Sequence, residues 1–126
     1  MTRNRASAKK AGATFETSIA AYLAEHVDGH IERRTKNGAK DRGDIGGLRA
    51  HGKRLVAECK DYGGRMLAGP WLKEAATERG NDEALAAIVV AKRRGVSDPG
   101  QQFVLMTLAD YVAITTGTRP DEPTPA

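Results

Sequence analysis

The chain reads as one α/β domain, a sandwich in which helices flank a mixed central β-sheet in the order α-β-β-β-α-β-β-α. Three observations carry this. Apolar residues recur at helical spacing in three separated segments. The stretches between them have strand character, and one, "LAAIVVAK", is continuously apolar in the way of a strand buried on both faces. The length of 126 residues, 40% of them hydrophobic, suits a single core.

The first ten residues hold Arg3, Arg5, Lys9 and Lys10 without an acid, and are expected to form a flexible basic arm (1–10) ahead of the folded domain (11–116). "AGATFETSIAAYLAEHV" then sets Phe15, Ile19, Tyr22, Leu23 and Val27 on one helical face, and Gly29 closes that helix. "HIERRTK" extends as a short strand and "NGAKDRG" is a polar loop. "DIGGLRA" and "KRLVAECK" form a hairpin about the turn "AHGK". "AGPWLKEAATERGN" is a second helix, with Pro70 in its first turn and Gly80-Asn81 at its end. The buried strand follows, then the loop "GVSDPGQ", then a short strand in "QFVLM". "TLADYVAIT" starts a third helix, with Thr107 and Asp110 placed as in a capping box. The proline-rich remainder, 117–126, is expected to be a disordered tail.

No apolar run approaches the roughly 20 residues of a membrane helix. The basic N-terminus has no apolar stretch of the kind a secretory signal needs, so a cytoplasmic protein without membrane partners is expected. A lone cysteine, Cys59, excludes an internal disulfide and a cysteine-rich zinc site. The net charge is +4 and the pI about 9.4. Its distribution says more: residues 31–54 carry eight basic residues against three acids, and "AKRRG" adds a further cluster. Clustered cations suit a polyanion such as nucleic acid, although a solvated surface shows the same pattern.

Strand alternation puts Val56, Glu58 and Lys60 on one face of "RLVAECK", with Leu55, Ala57 and Cys59 on the other. Folding the hairpin back brings Asp44 opposite Glu58 or Cys59, a choice of one residue in register. Facing carboxylates repel unless a cation lies between them. Lys60 serves in part; a divalent ion such as magnesium or manganese, bound through Asp44, Glu58 and the Cys59 carbonyl, serves better. The glycines of "DIGG" fit close approach by a ligand or another backbone. The bland alternative for Glu-x-Lys is a surface ion pair of little energetic weight. Glu16 lies at the edge of the apolar stripe of the first helix and joins a site only if that helix packs over the mouth of the hairpin. Trp71 is expected in the core, and the three histidines are not spaced as a metal cluster.

Glu16, then Asp44 in "DRGDIGG", then Glu58-Cys59-Lys60 in "AECKDY", on a helix, a strand and the next strand, resemble the PD-(D/E)xK nuclease superfamily. Within it the chain looks most like archaeal-type Holliday junction resolvases and their phage-encoded relatives, over roughly residues 11 to 115. Gly43 stands where the motif often has proline. The resemblance implies a restriction-endonuclease-like fold and a magnesium-dependent endodeoxyribonuclease, with manganese able to substitute. It implies that Glu16, Asp44, Glu58 and Lys60 are catalytic. Asp44, Glu58 and the Cys59 carbonyl would hold the metal, with Glu16 as a further candidate ligand. Arg33, Arg34, Lys36, Arg42, Lys92, Arg93 and Arg94 become candidates for gripping DNA. A four-way junction is two-fold symmetric, so a homodimer is expected to act on it. The alternatives are a nuclease of this superfamily acting on a flap, a nick or a specific duplex site, and a DNA-binding module of the same fold that does not cut.

Overall fold

A computed structural model describes residues 4–35 and 41–122. The elements are α1 (Arg5–His26), β1 (Glu32–Arg33), β2 (Ile45–Gly46), β3 (Arg49–Ala50), β4 (Lys53–Lys60), α2 (Ala68–Asn81), β5 (Ala86–Ala91), a 3-10 turn (Pro99–Gln101), β6 (Phe103–Leu105) and α3 (Leu108–Thr116). The six strands form a mixed sheet in the order β1-β2-β4-β5-β6, with β3 also paired to β4. Only β4 and β5 run parallel, and α2 is the crossover between them.

Alternation along β4 divides the core. Leu55, Ala57 and Cys59 join Phe15, Ile19 and Ala20 of α1 and Ala113 of α3 on one face of the sheet. Val56 joins Trp71 and Ala75 of α2, with Ala87 and Val89 of β5, on the other. The expected α/β layering is therefore present, and no helix among the described residues is long and apolar enough to cross a membrane.

Three expectations need correction. The expected strand "DIGGLRA" is broken into β2 and β3. Pairing runs Arg49 with Arg54 but Ile45 with Ala57, so the glycine-bearing strand has one residue more than its partner over this stretch. That is a β-bulge at Gly46-Gly47, and Gly47 has φ +87°. The expected arm is also helical from Arg5 onward. Asn4 caps the helix by accepting the Ser7 N–H at 2.8 Å, and alanines and lysines with good helix propensity follow. Finally, residues 117–122 are tied down: Arg119 donates to the buried Asp110 at 2.6 Å and to Asp121, and Glu122 pairs with Arg79. The rest of the expected tail, 123–126, lies outside the described residues.

Two other local readings hold. The His51-Gly52 turn has positive φ at both residues, as a tight two-residue hairpin requires. The Thr107 hydroxyl accepts the Asp110 N–H at 3.2 Å, and Gly117 ends α3 in the left-handed region.

Candidate functional site

The strand bulge decides where Asp44 lies. The hairpin register nearest the turn, continued unbroken, would set Asp44 across from Cys59. The extra residue instead carries the pairing toward Glu58. The Asp44 N–H donates to the Ala57 carbonyl at 2.9 Å, and its Oδ2 accepts the Cys59 N–H at 2.8 Å. Gly43 makes this approach with φ +93°, and a Cβ there would stand 2.9 Å from Val56 Cγ1. Proline, fixed near φ −65°, has no place at this position.

Glu16, Asp44, Glu58, Cys59 and Lys60 line one cleft of about 880 Å³, together with Asp61, Tyr62 and Arg94. The helix α1 does pack over this end of the hairpin, which is the condition for Glu16 to take part. Its carboxylate is bonded to the Arg33 guanidinium at 2.8 Å. The Cys59 carbonyl leaves β4 on the same edge as its N–H, toward Asp44, while its thiol is buried in the α1 core and burial pushes the thiol pKa up.

Glu58 is not the solvated partner of a surface ion pair. It is 5% exposed, its Oε1 is 3.7 Å from Lys60 Nζ, and its buried Oε2 has no hydrogen-bond partner. Burial, then the carboxylate of Glu78, pushes its pKa to about 9. Burial, then the charge of Glu58, pushes Asp44 to about 8 against the opposing bond from Cys59 N–H. Burial alone would lower the Lys60 ammonium, but its bond to Glu74 at 3.0 Å and the charges of Glu58 and Glu74 outweigh it, so the net shift is upward. Buried oxygens of this kind suit a hard divalent cation: the donor set is all carboxylate and carbonyl, and Glu58 Oε2 is unsatisfied.

Comparison with family models, curated proteins and solved structures finds no match for the chain.

Two acids that matter here escaped the sequence reading. Among the described residues, the acids whose donor oxygens all lie within 4.8 Å of one another are Asp41, Glu58, Glu74 and Glu78, not Glu16, Asp44 and Glu58. Glu74 and Glu78 come from α2. A signal was present for Glu78: Trp71, Ala75 and Glu78 fall at i, i+4 and i+7, so an acid occupies the buried stripe.

The predicted DNA-gripping residues divide. Arg94 lines the cleft and Arg42 is exposed. Arg33 is paired with Glu16, yet remains 44% exposed. Arg34 is structural: it donates to the Arg42 carbonyl at 2.8 Å, approaches the buried Asp82, and lies over Gly46. The close approach at "DIGG" is thus by the protein's own atoms, with the His30 carbonyl over Gly47. Lys92 caps its own loop through the Arg93 and Val96 carbonyls, and Arg93 lies 4.6 Å over the Phe103 ring. These bonds, not solvent, hold the three side chains of Arg34, Lys92 and Arg93. Lys36 lies outside the described residues.

Proposed function

We propose that this protein is a metal-dependent, structure-selective DNA endonuclease, most readily a Holliday junction resolvase, with a restriction-endonuclease-like fold. The observation that carries the reading is the convergence of Glu16, Asp44, Glu58 and Lys60 on one cleft, with the Cys59 carbonyl edge and Arg94 beside them. Asp44, Glu58 and the Cys59 carbonyl are the groups that would hold magnesium, with Glu16 near by. When bound, such an ion lowers the pKa of a water and offsets charge at a phosphoryl oxygen.

The chain's own residues supply the rest. Lys60, held as a cation between Glu58 and Glu74, presents a fixed positive charge and N–H donors to the oxyanion that develops at phosphorus. Arg94 and Arg33 flank the cleft and would contact phosphates, which positions a duplex without reading its sequence. Glu16 is bonded to Arg33, so engagement of Arg33 by a phosphate would free the Glu16 carboxylate for the site. The dimer that a two-fold junction requires finds apolar surface at the open edge of β6 and on α3, where Phe103, Val104, Leu108 and Tyr111 are exposed.

The test is incubation with Mg²⁺ and four-way, flap, nicked and linear DNA of matched sequence. Symmetric cutting of the four-way junction supports the reading. Cutting of a flap or linear duplex alone moves the assignment to another nuclease substrate. Binding without cleavage of any substrate leaves a DNA-binding module.

A further inference from the structure

The second helix brings two carboxylates to β4: Glu74, which pairs with Lys60, and Glu78, which the nuclease reading does not use. Glu78 is 1% exposed, and neither of its carboxylate oxygens has a hydrogen-bond partner. Its donor oxygens lie within 4.8 Å of those of Asp41, Glu58 and Glu74. Glu58 Oε2 is likewise buried and unsatisfied. Among the described residues, the ion pairs made by this set are those of Glu58 and Glu74 with Lys60, and Asp41 accepts the Gly43 N–H at 3.0 Å. One ammonium faces four carboxyl groups, and the least solvated of them, Glu78, receives no hydrogen bond from a donor outside the set. Buried polar atoms in folded proteins are satisfied with few exceptions, and an ion is a standard reason for an exception.

We propose that Asp41, Glu58, Glu74 and Glu78 form a divalent-cation site between α2 and the sheet, distinct from the one assigned to Asp44. Two observations carry it: the convergence of four donor groups, and the near-complete burial of the Glu78 carboxylate, directed into the other three with no outside donor to either oxygen. The donor set is entirely oxygen, which selects a hard cation of the magnesium, manganese or calcium class over zinc or copper. The chain geometry is suited to such a site because its parts come from three elements: Asp41 from the loop before β2, Glu58 from β4, and Glu74 and Glu78 from one face of α2 at i, i+4. The cation would pin α2 and the residue-41 loop against β4. The inference does not rest on nuclease activity, since only Glu58 is common to both sets.

The rival occupant is a proton shared between Glu58 and Glu78. Titration with Mn²⁺, following free Mn²⁺ by electron paramagnetic resonance, separates the two. The parent protein, Glu74→Gln, Glu78→Gln and Asp44→Asn are compared, and each is checked for its fold by circular dichroism. Glu74 is an exposed helix residue, so its replacement tests the site even if Glu78→Gln misfolds. The expected result is that Glu74→Gln and Glu78→Gln each weaken one Mn²⁺ by more than about tenfold, while Asp44→Asn retains it. Parent-like Mn²⁺ stoichiometry and affinity in Glu74→Gln overturns the site and leaves the shared proton. Loss of all Mn²⁺ binding in Asp44→Asn overturns it as well, because the only metal is then at Asp44. Neither result bears on whether DNA is cut, which the junction assay decides separately.

Discussion

Replacing Glu78 by glutamine isolates what its buried carboxylate does to the metal-free protein. The side chain is 1% exposed, unpartnered at both oxygens, and surrounded by Asp41, Glu58 and Glu74. Burial raises its pKa from 4.5 to about 7, opposed by the proton it shares with Glu58 and reinforced by the charges of Asp41 and Glu74. Between those values the native state keeps a proton that the unfolded chain has released. More protons are bound by the native than by the unfolded state, so the free energy of unfolding falls as pH rises through this window and levels off above it. A gap of about 2.5 pH units corresponds to about 3 kcal/mol. Glutamine keeps the shape and cannot ionise. In EDTA, Glu78→Gln is therefore expected to exceed the parent in stability by about 3 kcal/mol at pH 8 and by less than about 1 kcal/mol at pH 5. For a chain of this size the pH 8 difference moves Tm by about 10 °C. Urea unfolding followed by far-ultraviolet circular dichroism at both pH values reads it, and millimolar Mn²⁺ should close the gap by stabilising the parent alone. Equal stabilities at pH 8 in EDTA, or the same gain at pH 5 as at pH 8, would refute the reasoning.

Three further outcomes are expected. Asp44→Asn and Lys60→Ala should each abolish Mg²⁺-dependent cleavage while four-way-junction binding in a gel-shift assay stays within about threefold of the parent; normal cutting by either variant removes that residue from the site. Arg94→Ala should weaken binding to every DNA shape and reduce the salt slope by about 1, whereas Arg34→Ala should instead lower Tm, because its guanidinium holds the Arg42 carbonyl and faces Asp82; an unchanged salt slope for Arg94→Ala takes it out of the interface. Gly43→Pro should cost at least about 3 kcal/mol in a denaturant melt, since it needs the wrong φ, meets Val56 and the Ala57 carbonyl, and loses the N–H that Asp41 accepts; a loss under about 1 kcal/mol contradicts the geometry around Asp44.

Much of the framework was legible because it depends on short-range chemistry. The second helix follows its sequence signals to the residue, 68–81, since Pro70 and the terminal Gly80-Asn81 mark its ends and Trp71 and Ala75 mark its buried side. The hairpin turn and the cap at Thr107 depend on two or four neighbouring residues. What the sequence leaves open or misplaces depends mostly on contacts between distant segments. The register of Asp44, open by one residue in the sequence, is set by a one-residue bulge, and of the two occupants its glycines allow, a ligand or another backbone, the His30 carbonyl is one, with the Arg34 side chain beside it. The roles of Arg34, Lys92 and Arg93 depend on loop carbonyls and an aromatic ring that no local pattern announces. The N-terminal residues are the local exception: their charge suggests a free arm, but the cap at Asn4 makes them helical. Glu78 is different, since its signal is local: an acid at the third point of the stripe Trp71, Ala75, Glu78 breaks the apolar pattern of a buried helix face more sharply than any acid on the strands.

The position of the cleft supports a binding role on grounds separate from any motif. In an open sheet with parallel strands, ligands collect beyond the carboxyl ends of those strands, where chain segments diverge and leave a crevice. Here β4 and β5 are the parallel pair, and both end at the cleft: Lys60 is the last residue of β4 and Asp61 and Tyr62 follow it, and Arg94 stands three residues past the end of β5. The same strand ends explain why charge is tolerated there. Residues 55–57 of β4 are sealed between two apolar layers, so an acid among them would have neither water nor a partner. Glu58 is the first position at which α2 supplies polar neighbours instead of Trp71 and Ala75, and Lys60 is the first side chain of the strand after the core that reaches partial exposure. The transition from apolar to ionisable residues along "RLVAECK" thus follows the edge of the core. A carboxylate set just inside that edge, at Glu58, is desolvated enough to keep its proton at neutral pH unless a cation replaces it, and it lies close enough to the cleft for either to exchange with solvent.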